Sequence, residues 1–139
     1  MDANDTDLVT VHLLIYNHKP YLKDCIDSVL GQNHKPLEFL ISDNNSSDGS
    51  AKFVSQNYPF LKLIKNTENL GYSRGHNQVI QRSKAAYFMP LNPDAVLTET
   101  YVQELVRAKS TVANDDAEGL KVLLARVEHE FDELERRLK

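Results

Sequence analysis

Several residue types are scarce in this sequence, and each shortage excludes a class of protein. Among 139 residues there is one cysteine and no tryptophan. The single Cys25 excludes an internal disulfide and a cysteine-based zinc cluster. No apolar run is long enough to span a membrane, and residues 1–7 are acidic where a signal peptide would be basic. We therefore expect a cytoplasmic protein, with the inner face of the membrane as an alternative location.

Basic charge is also in short supply. Sixteen Lys and Arg residues face twenty Asp and Glu residues, which gives a net charge of −4 and argues against a nucleic-acid partner. What is present suits one folded domain, because 41% of the residues are hydrophobic and 26% are charged. The length is also sufficient for a core that is stable alone.

Short apolar strands alternate with helical stretches along most of the chain. The predicted strands cover residues 8–15, 37–42, 60–64 and 85–91. Helical spacing follows from Tyr21 to Gly31, around Phe53 and Val54, and from Asn69 to about Arg82. A further packed helix is predicted after residues 98–101. The alternation predicts an α/β domain with a parallel sheet, right-handed crossovers and helices on both faces.

The character of the sequence changes towards its end. We expect residues 1–109 to form the sheet domain and residues 110–139 to form a helical tail. Two series repeat every seven residues there: Ala113, Leu120, Val127 and Leu134, and Ala117, Leu124, Phe131 and Leu138. This pattern predicts a C-terminal amphipathic helix. It either pairs with a second chain as a coiled coil, which would make a homodimer, or folds back over the sheet, the arrangement we prefer.

Polar clusters follow three of the predicted strands. They are residues 16–17 after the first strand, 43–45 after the second and 92–94 after the fourth. In open parallel sheets, ligands bind beyond the carboxyl ends of the strands, where the strand order reverses. The sequence therefore predicts a ligand site at this edge of the sheet.

Each cluster also has a purely structural interpretation. The alternative for residues 43–48 is a turn followed by a helix N-cap, and this is the interpretation we prefer for Ser46, Ser47 and Asp48. For Asp43, directly after a strand, we prefer a hydrogen-bond acceptor for a base or ribose. Gly71 and Gly75, with Arg74 between them, either approach a phosphate at a helix N-terminus or allow close helix packing. Asp94 either binds a divalent cation together with a diphosphate or belongs to a simple turn.

The histidines and the cysteine do not suggest a site. His12, His34 and His129 have no partners at metal-ligand spacing, and His18 and His76 are interpreted as loop or cap residues. Cys25 lies on the apolar side of a predicted helix and is expected in the core.

The ordered set of motifs resembles a known family. Residues 11–17, 40–50, 69–77 and 88–94 together resemble family 2 glycosyltransferases of the GT-A fold, and they are most similar to the rhamnosyltransferase-like branch, in which Asn-Pro-Asp replaces the usual Asp-x-Asp. The resemblance covers roughly residues 8–106 and implies a Rossmann-like, N-terminal nucleotide-binding half.

The resemblance implies a role for each motif. Tyr16 and Asn17 would line the base pocket and Asp43 would bind the uracil or thymine ring. Residues 69–77 would lie along the ribose and diphosphate. The residues implied in nucleotide-sugar binding are Tyr16, Asn17, Asp43, Asn69, Gly71, Tyr72, Gly75, Asn77, Asn92 and Asp94. Asp94 would hold Mg²⁺ or Mn²⁺, and Asn92 would contact the sugar or ribose.

The implied reaction is inverting transfer from a UDP- or dTDP-sugar to a hydroxyl of a glycan or lipid-linked acceptor, as in polysaccharide biosynthesis. It needs a carboxylate base to deprotonate the acceptor, and no residue is assigned this role. After Asp94 the sequence offers one ordinary helix and the heptad tail, without the family's acceptor-binding elements. The alternative function is a noncatalytic nucleotide-sugar-binding or scaffolding module that dimerises through its C-terminal helix.

Overall fold

Four strands and four helices alternate along the chain. The computed structural model describes residues 8–112. The strands are β1 (Val9–Ile15), β2 (Leu37–Asp43), β3 (Lys62–Lys65) and β4 (Tyr87–Leu91). The helices are α1 (Lys19–Leu30), α2 (Ser50–Asn57), α3 (Tyr72–Ile80) and α4 (Tyr101–Val112). Residues 113–139, which include both seven-residue series of the predicted tail, lie outside the described residues, so the two arrangements of the tail and the domain division at residue 109 stay predictions.

All four strands are parallel and lie in the order β3-β2-β1-β4. The first two crossovers step in one direction, from β1 to β2 to β3. The third crossover runs back from β3 past β2 and β1, and it places β4 on the side of β1 that faces away from β2. Because β-α-β crossovers are right-handed, this reversal moves α3 to the opposite face of the sheet from α1 and α2. The α/β, Rossmann-like parallel sheet of the GT-A type with helices on both faces is confirmed.

The two faces of the sheet are chemically different. Alternate β1 residues such as Val11 and Leu13 pack in the main apolar core with Leu22 and Ile26 of α1 and with Val54 of α2. The other face of β1 is covered by α3 and carries buried polar groups as well as apolar ones. Thr10 and His12 are fully buried there. Cys25 belongs to the apolar core, as expected.

One predicted strand is displaced. The weak alternation from residue 60 predicts a strand there, but β3 begins only at Lys62 and Phe60 is 69% exposed. The Leu61 N–H donates a hydrogen bond to the Tyr58 carbonyl at 3.0 Å, which forms a turn before the strand. None of the helices within residues 8–112 has the length and apolarity needed to cross a membrane.

Candidate functional site

A cleft opens where the strand order reverses. β4 lies on the opposite side of β1 from β2 and β3, so the strand order reverses between β1 and β4. The cleft has a volume of about 390 Å³. It is lined by Leu14, Ile15, Tyr16, His18, Asn44, Asn69, Gly71, Tyr72, Asn92, Pro93 and Asp94. A concave site of this size with several polar groups is suited to a small ligand.

The cleft brings together many, though not all, of the residues singled out in the sequence. Those that line it are Tyr16, Asn69, Gly71, Tyr72, Asn92 and Asp94. Those that lie outside its lining are Asn17, Asp43, Gly75 and Asn77. The clusters after β1 and β4, which are far apart in sequence, therefore meet at one edge of the sheet.

Asn17 connects the two loops that follow β1 and β2. It has a positive φ of 55°, a conformation that asparagine tolerates better than most residues. Its side-chain Oδ1 accepts a hydrogen bond from the Ser47 N–H at 2.8 Å, and its own N–H donates to the Ser46 hydroxyl at 2.9 Å. Asn17 thus holds the loop after β1, which contributes Tyr16 and His18 to the cleft, against the loop after β2.

Asp43 is buried at the end of β2, and both of its carboxylate oxygens are engaged by Ser46. Oδ2 accepts from the Ser46 N–H at 3.0 Å, and Oδ1 accepts from the Ser46 hydroxyl at 2.6 Å. These bonds hold the loop after β2 in a tight turn. These contacts are the local turn that the structural alternative for residues 43–48 predicts.

Asn44, which belongs to the polar cluster predicted after the second strand but was given no role of its own, lines the cleft beside Asp43. The alternation of side chains along β2 indicates which face of the sheet Asn44 occupies. Leu14 pairs with Ser42 in the β1–β2 register, and side chains alternate between faces, so Asn44 follows Ser42 on the face of Leu14. Its N–H donates to the Ile15 carbonyl at 2.8 Å, which extends the ladder beyond β2.

A chain of side-chain amides supports this wall of the cleft. Asn44 Oδ1 accepts from Asn66 Nδ2 at 2.9 Å, and Asn66 Oδ1 accepts from Gln78 Nε2 at 3.1 Å. Asn44 Nδ2 donates to the Gly71 carbonyl at 3.3 Å. Gly71 has a φ of 81° and a ψ of 179°, a combination that is essentially confined to glycine. The amide chain therefore joins β2, the end of β3 and the start of α3.

The start of α3 faces the cleft through Gly71 and Tyr72. Gly71 donates its N–H to Asn69 Oδ1 at 2.9 Å, which fixes the approach to the helix. Arg74 and Asn77 are exposed on α3, outside the cleft lining. The amides of a first helical turn favour anions, so this wall is suited to a phosphate.

The turn after β4 forms another part of the cleft lining. The Asn92 carbonyl accepts a hydrogen bond from the Ala95 N–H at 3.0 Å, and Cys25 Sγ lies 3.7 Å from the same carbonyl. Asp94 is exposed and lines the cleft. Burial, with the negative charge of Asp94 as a smaller cause, raises the pKa of Cys25 to about 12 and keeps it a neutral thiol.

The structure corrects one expectation about the histidines. His76 is neither a loop nor a cap residue: it is buried within α3 and its Nδ1 lies 2.8 Å from Nδ1 of His12. Burial, and to a smaller extent the neighbouring His76, lowers the pKa of His12 to about 3. Burial lowers the pKa of His76 to about 4. Both rings are therefore neutral at neutral pH.

Comparison with known proteins identifies the family. The sequence model described as glycosyl transferase family 2 matches residues 10–117. The chain is 32% identical over 75 residues to an N-acetylglucosaminyl-diphospho-decaprenol L-rhamnosyltransferase of Mycobacterium tuberculosis, a match that covers 54% of this chain and 24% of that protein. It is 30% identical over 95 residues to the putative teichuronic acid biosynthesis glycosyltransferase TuaG of Bacillus subtilis, covering 66% of this chain and 38% of TuaG.

Solved structures share the fold. The mannosyltransferase PcManGT of Pyrobaculum calidifontis, in complex with GDP-Man and Mn²⁺, superposes with a TM-score of 0.63 at 24% identity, over 76% of this chain and 32% of that chain. TarS of S. aureus in complex with UDP superposes with a TM-score of 0.65 at 16% identity, over 74% and 32% of the two chains. In each comparison this chain spans well under half of the other protein. Since the family's sequence model matches most of its length, the chain belongs to glycosyl transferase family 2.

Proposed function

We propose that this chain supplies the donor-binding part of an inverting glycosyltransferase. It binds a UDP- or dTDP-sugar together with Mg²⁺ or Mn²⁺, and the sugar is transferred to a hydroxyl of a glycan or lipid-linked acceptor. The observation that carries the proposal is the cleft at the reversal of strand order, where Tyr16, Gly71 and Asp94 line one cavity. This is the place where an open α/β sheet binds nucleotides.

Different parts of the donor are assigned to different walls of the cleft. The proposal places the base by Tyr16, Asn17 and Asp43, with Asn44 beside them. The ribose and diphosphate lie along residues 69–77, with Asn92 next to the sugar or ribose. Two features support this division. Tyr16 and Tyr72 are aromatic residues of the cleft lining, and the start of α3, where backbone amides favour anions, also lines the cleft.

The residues present fit a divalent cation that is shared with a diphosphate. Asp94 supplies one exposed carboxylate in the cleft, the hard oxygen donor that Mg²⁺ and Mn²⁺ prefer. Within the described part of the chain there is no group of three or more His, Cys, Asp or Glu residues placed to hold a metal by themselves. Such a cation would take its other ligands from phosphate and water, as Mg²⁺ commonly does.

Charge balance supports the same proposal. Among the residues that the structure describes, no Lys or Arg lines the cleft. A bound cation would neutralise the charge that develops on the leaving nucleoside diphosphate. Asp94 is also the only carboxylate among the described cleft residues and is assigned to the cation, so the proposal assigns no base for deprotonation of the acceptor.

The relatives support the class of donor without selecting one. The comparison structures are complexes with GDP-Man and Mn²⁺ and with UDP, and the relative from M. tuberculosis is named an L-rhamnosyltransferase. Nucleotide choice is therefore the quantity to measure on this chain.

Calorimetric titration of the 139-residue chain tests the proposal. UDP, dTDP and their sugars are titrated with Mn²⁺ and with chelator, on the wild type, Asp94→Ala and Glu99→Ala. Glu99 is an exposed acidic residue outside the cleft lining and serves as the matched control. We expect Mn²⁺-dependent binding that Asp94→Ala weakens about tenfold or more and Glu99→Ala leaves intact.

Two outcomes would contradict the proposal. One is the absence of binding for both nucleotides, and the other is Mn²⁺ dependence that survives Asp94→Ala. Assays of donor hydrolysis and transfer on the same samples separate the enzyme from the alternative module. Binding without either activity would support a noncatalytic nucleotide-sugar-binding role.

A further inference from the structure

A buried pair of histidines lies beneath α3, on the face of the sheet that borders the cleft. His12 is at the centre of β1 and is fully buried, and His76 is 1% exposed. Their Nδ1 atoms lie 2.8 Å apart, and Nε2 of His12 lies 2.7 Å from the hydroxyl of Ser42 on β2. The pair thus connects α3 to the two central strands of the sheet.

The hydrogen bonds allow two orders of protons. A neutral imidazole has one N–H and one lone pair, and the short Nδ1–Nδ1 contact needs one of each. Either the Ser42 hydroxyl donates to His12 Nε2 and His12 Nδ1–H donates to His76, or all donors are reversed. In the first order His76 carries its remaining proton on Nε2, and in the second it carries a lone pair there.

The surroundings of His76 favour the first order. Nε2 of His76 is buried and has no hydrogen-bond partner within the described structure. The ring of Tyr72 lies 4.5 Å from the His76 ring at 67°, and that of Phe88 lies 6.2 Å away at 88°. An N–H is accommodated by the electron-rich face of an aromatic ring, whereas a buried lone pair without a donor is left unsatisfied.

The aromatic neighbour of His76 is part of the cleft. Tyr72 and His76 are four residues apart on α3, so their side chains stack one turn above the other. Tyr72 lines the cleft and His76 lies behind it, held from below by His12. A ring whose tilt is set by a directional hydrogen bond is a more rigid support than an aliphatic side chain.

We propose that His76 is a positioning residue for the nucleotide cleft: Ser42, His12 and His76 form a proton-ordered chain that holds the His76 ring, and this ring holds Tyr72 in the wall of the cleft. The role of Tyr72 in binding rests on the function proposed above for the cleft. The order of the protons does not, and it is tested separately.

Nitrogen-15 NMR of the imidazole rings tests the proton order on the unmodified chain. At pH 7 we expect His12 as the Nδ1–H tautomer and His76 as the Nε2–H tautomer, since the ring nitrogen shifts distinguish the two forms. A His76 ring protonated on Nδ1, or a charged ring in either residue, would overturn the inference. This measurement needs neither nucleotide nor a variant.

Substitutions then test whether the hydrogen bonds that join Ser42, His12 and His76 hold the Tyr72 ring in place. Ser42→Ala removes the first donor, outside the cleft lining, and His76→Phe keeps a ring but loses the bond to His12. Ser28→Ala is the control, because the half-buried Ser28 hydroxyl donates to the Cys25 carbonyl within α1 at 2.7 Å. Helix α1 lies on the opposite face of the sheet from α3. We expect the first two variants to weaken UDP or dTDP binding about fivefold and to shift the Tyr72 ring resonances, and Ser28→Ala to do neither.

A double-mutant cycle with Tyr72→Ala distinguishes positioning from general destabilisation. If His76 acts through Tyr72, the loss caused by His76→Phe disappears in the Tyr72→Ala background. An equal loss with and without Tyr72 would overturn the proposal. If the wild type binds no nucleotide, the proposed function fails; the Tyr72 resonances then decide the inference, and unchanged resonances in Ser42→Ala would overturn it.

Discussion

Gly75 of α3 lies directly against the side chain of Leu14 on β1. A Cβ atom built on Gly75 would lie 2.7 and 2.8 Å from the two δ-carbons of Leu14, closer than carbon atoms pack. The distance between α3 and the sheet therefore depends on the missing side chain. Leu14 and the start of α3 both line the cleft, so this contact lies next to the candidate site.

Gly75→Ala is expected to destabilise the fold. The added methyl group displaces Leu14 or lifts α3, and overpacking of this kind costs about 1–3 kcal/mol in the free energy of unfolding. Urea unfolding followed by circular dichroism measures the change. Gly31→Ala is the control, since its Cβ would meet nothing closer than 3.5 Å and its φ is −89°. Equal effects at the two glycines would contradict the packing argument.

Asp43 and Ser46 are expected to behave as one unit. The Ser46 hydroxyl donates to Asp43 and accepts from the Asn17 N–H, so either substitution releases both loops. We predict that Asp43→Asn and Ser46→Ala each lower the free energy of unfolding by about 1–2 kcal/mol, and that the double variant loses less than the sum.

Chemical denaturation of the two single variants and the double variant measures this coupling. Ser55→Ala is a suitable control, because Ser55 is exposed on α2 and its hydroxyl donates to the Ala51 carbonyl one turn before it. Strictly additive losses of unfolding free energy would show that Asp43 and Ser46 act independently and would contradict the prediction. A loss of nucleotide affinity in Asp43→Asn that Ser46→Ala does not share would instead support direct contact between Asp43 and the base.

Asp48 bonds to the first turns of two helices at once. Its Oδ2 accepts from the Lys19 N–H at 3.0 Å, and its Oδ1 accepts from the Ser50 N–H at 2.9 Å. Neither α1 nor α2 has a side-chain cap from its own N-cap residue, so Asp48 takes that role for both. We predict that Asp48→Ala lowers the free energy of unfolding by about 1–2 kcal/mol, measured by urea unfolding. Asp24→Ala, on the exposed side of α1, is expected to change it little, and a similar loss there would contradict the assignment.

Acid should destabilise the chain through its buried histidines. The folded pKa of His12 is lowered to about 3 and that of His76 to about 4, from an ordinary value of 6.5. At pH values between the folded pKa of each histidine and 6.5, the unfolded chain binds more protons than the folded chain. The free energy of unfolding is therefore independent of these groups above pH 7 and falls as the pH drops below 6.5, by at most about 1.4 kcal/mol per pH unit for each histidine.

Urea unfolding at pH 7.5, 6.5 and 5.5 measures this dependence in a range above the ordinary carboxylate pKa values. His76→Phe removes one of the two groups and should reduce the slope. The prediction fails if the wild type is equally stable at pH 5.5 and pH 7.5.

The local pattern of the sequence determined the elements and one face of the core. Apolar runs such as 9–15, helical spacing through Leu22 and Ile26, and turn residues after each strand depend on neighbours a few positions away, and they indicate the α/β alternation. The same pattern placed polar residues at strand ends, which was enough to predict the edge where Tyr16, Asn92 and Asp94 meet. The resemblance to family 2 glycosyltransferases rested on these motifs and is confirmed by the family match.

Only the tertiary structure decided which side chains share a surface. The strand order puts β4 beside β1, and the β1–β2 register puts Asn44 in the cleft while Asp43 bonds to Ser46. His12 and His76 meet although 64 residues separate them, because α3 crosses to the face that His12 occupies. Periodicity along a chain reports burial and spacing, whereas pairing across the sheet follows from the packing of all elements together.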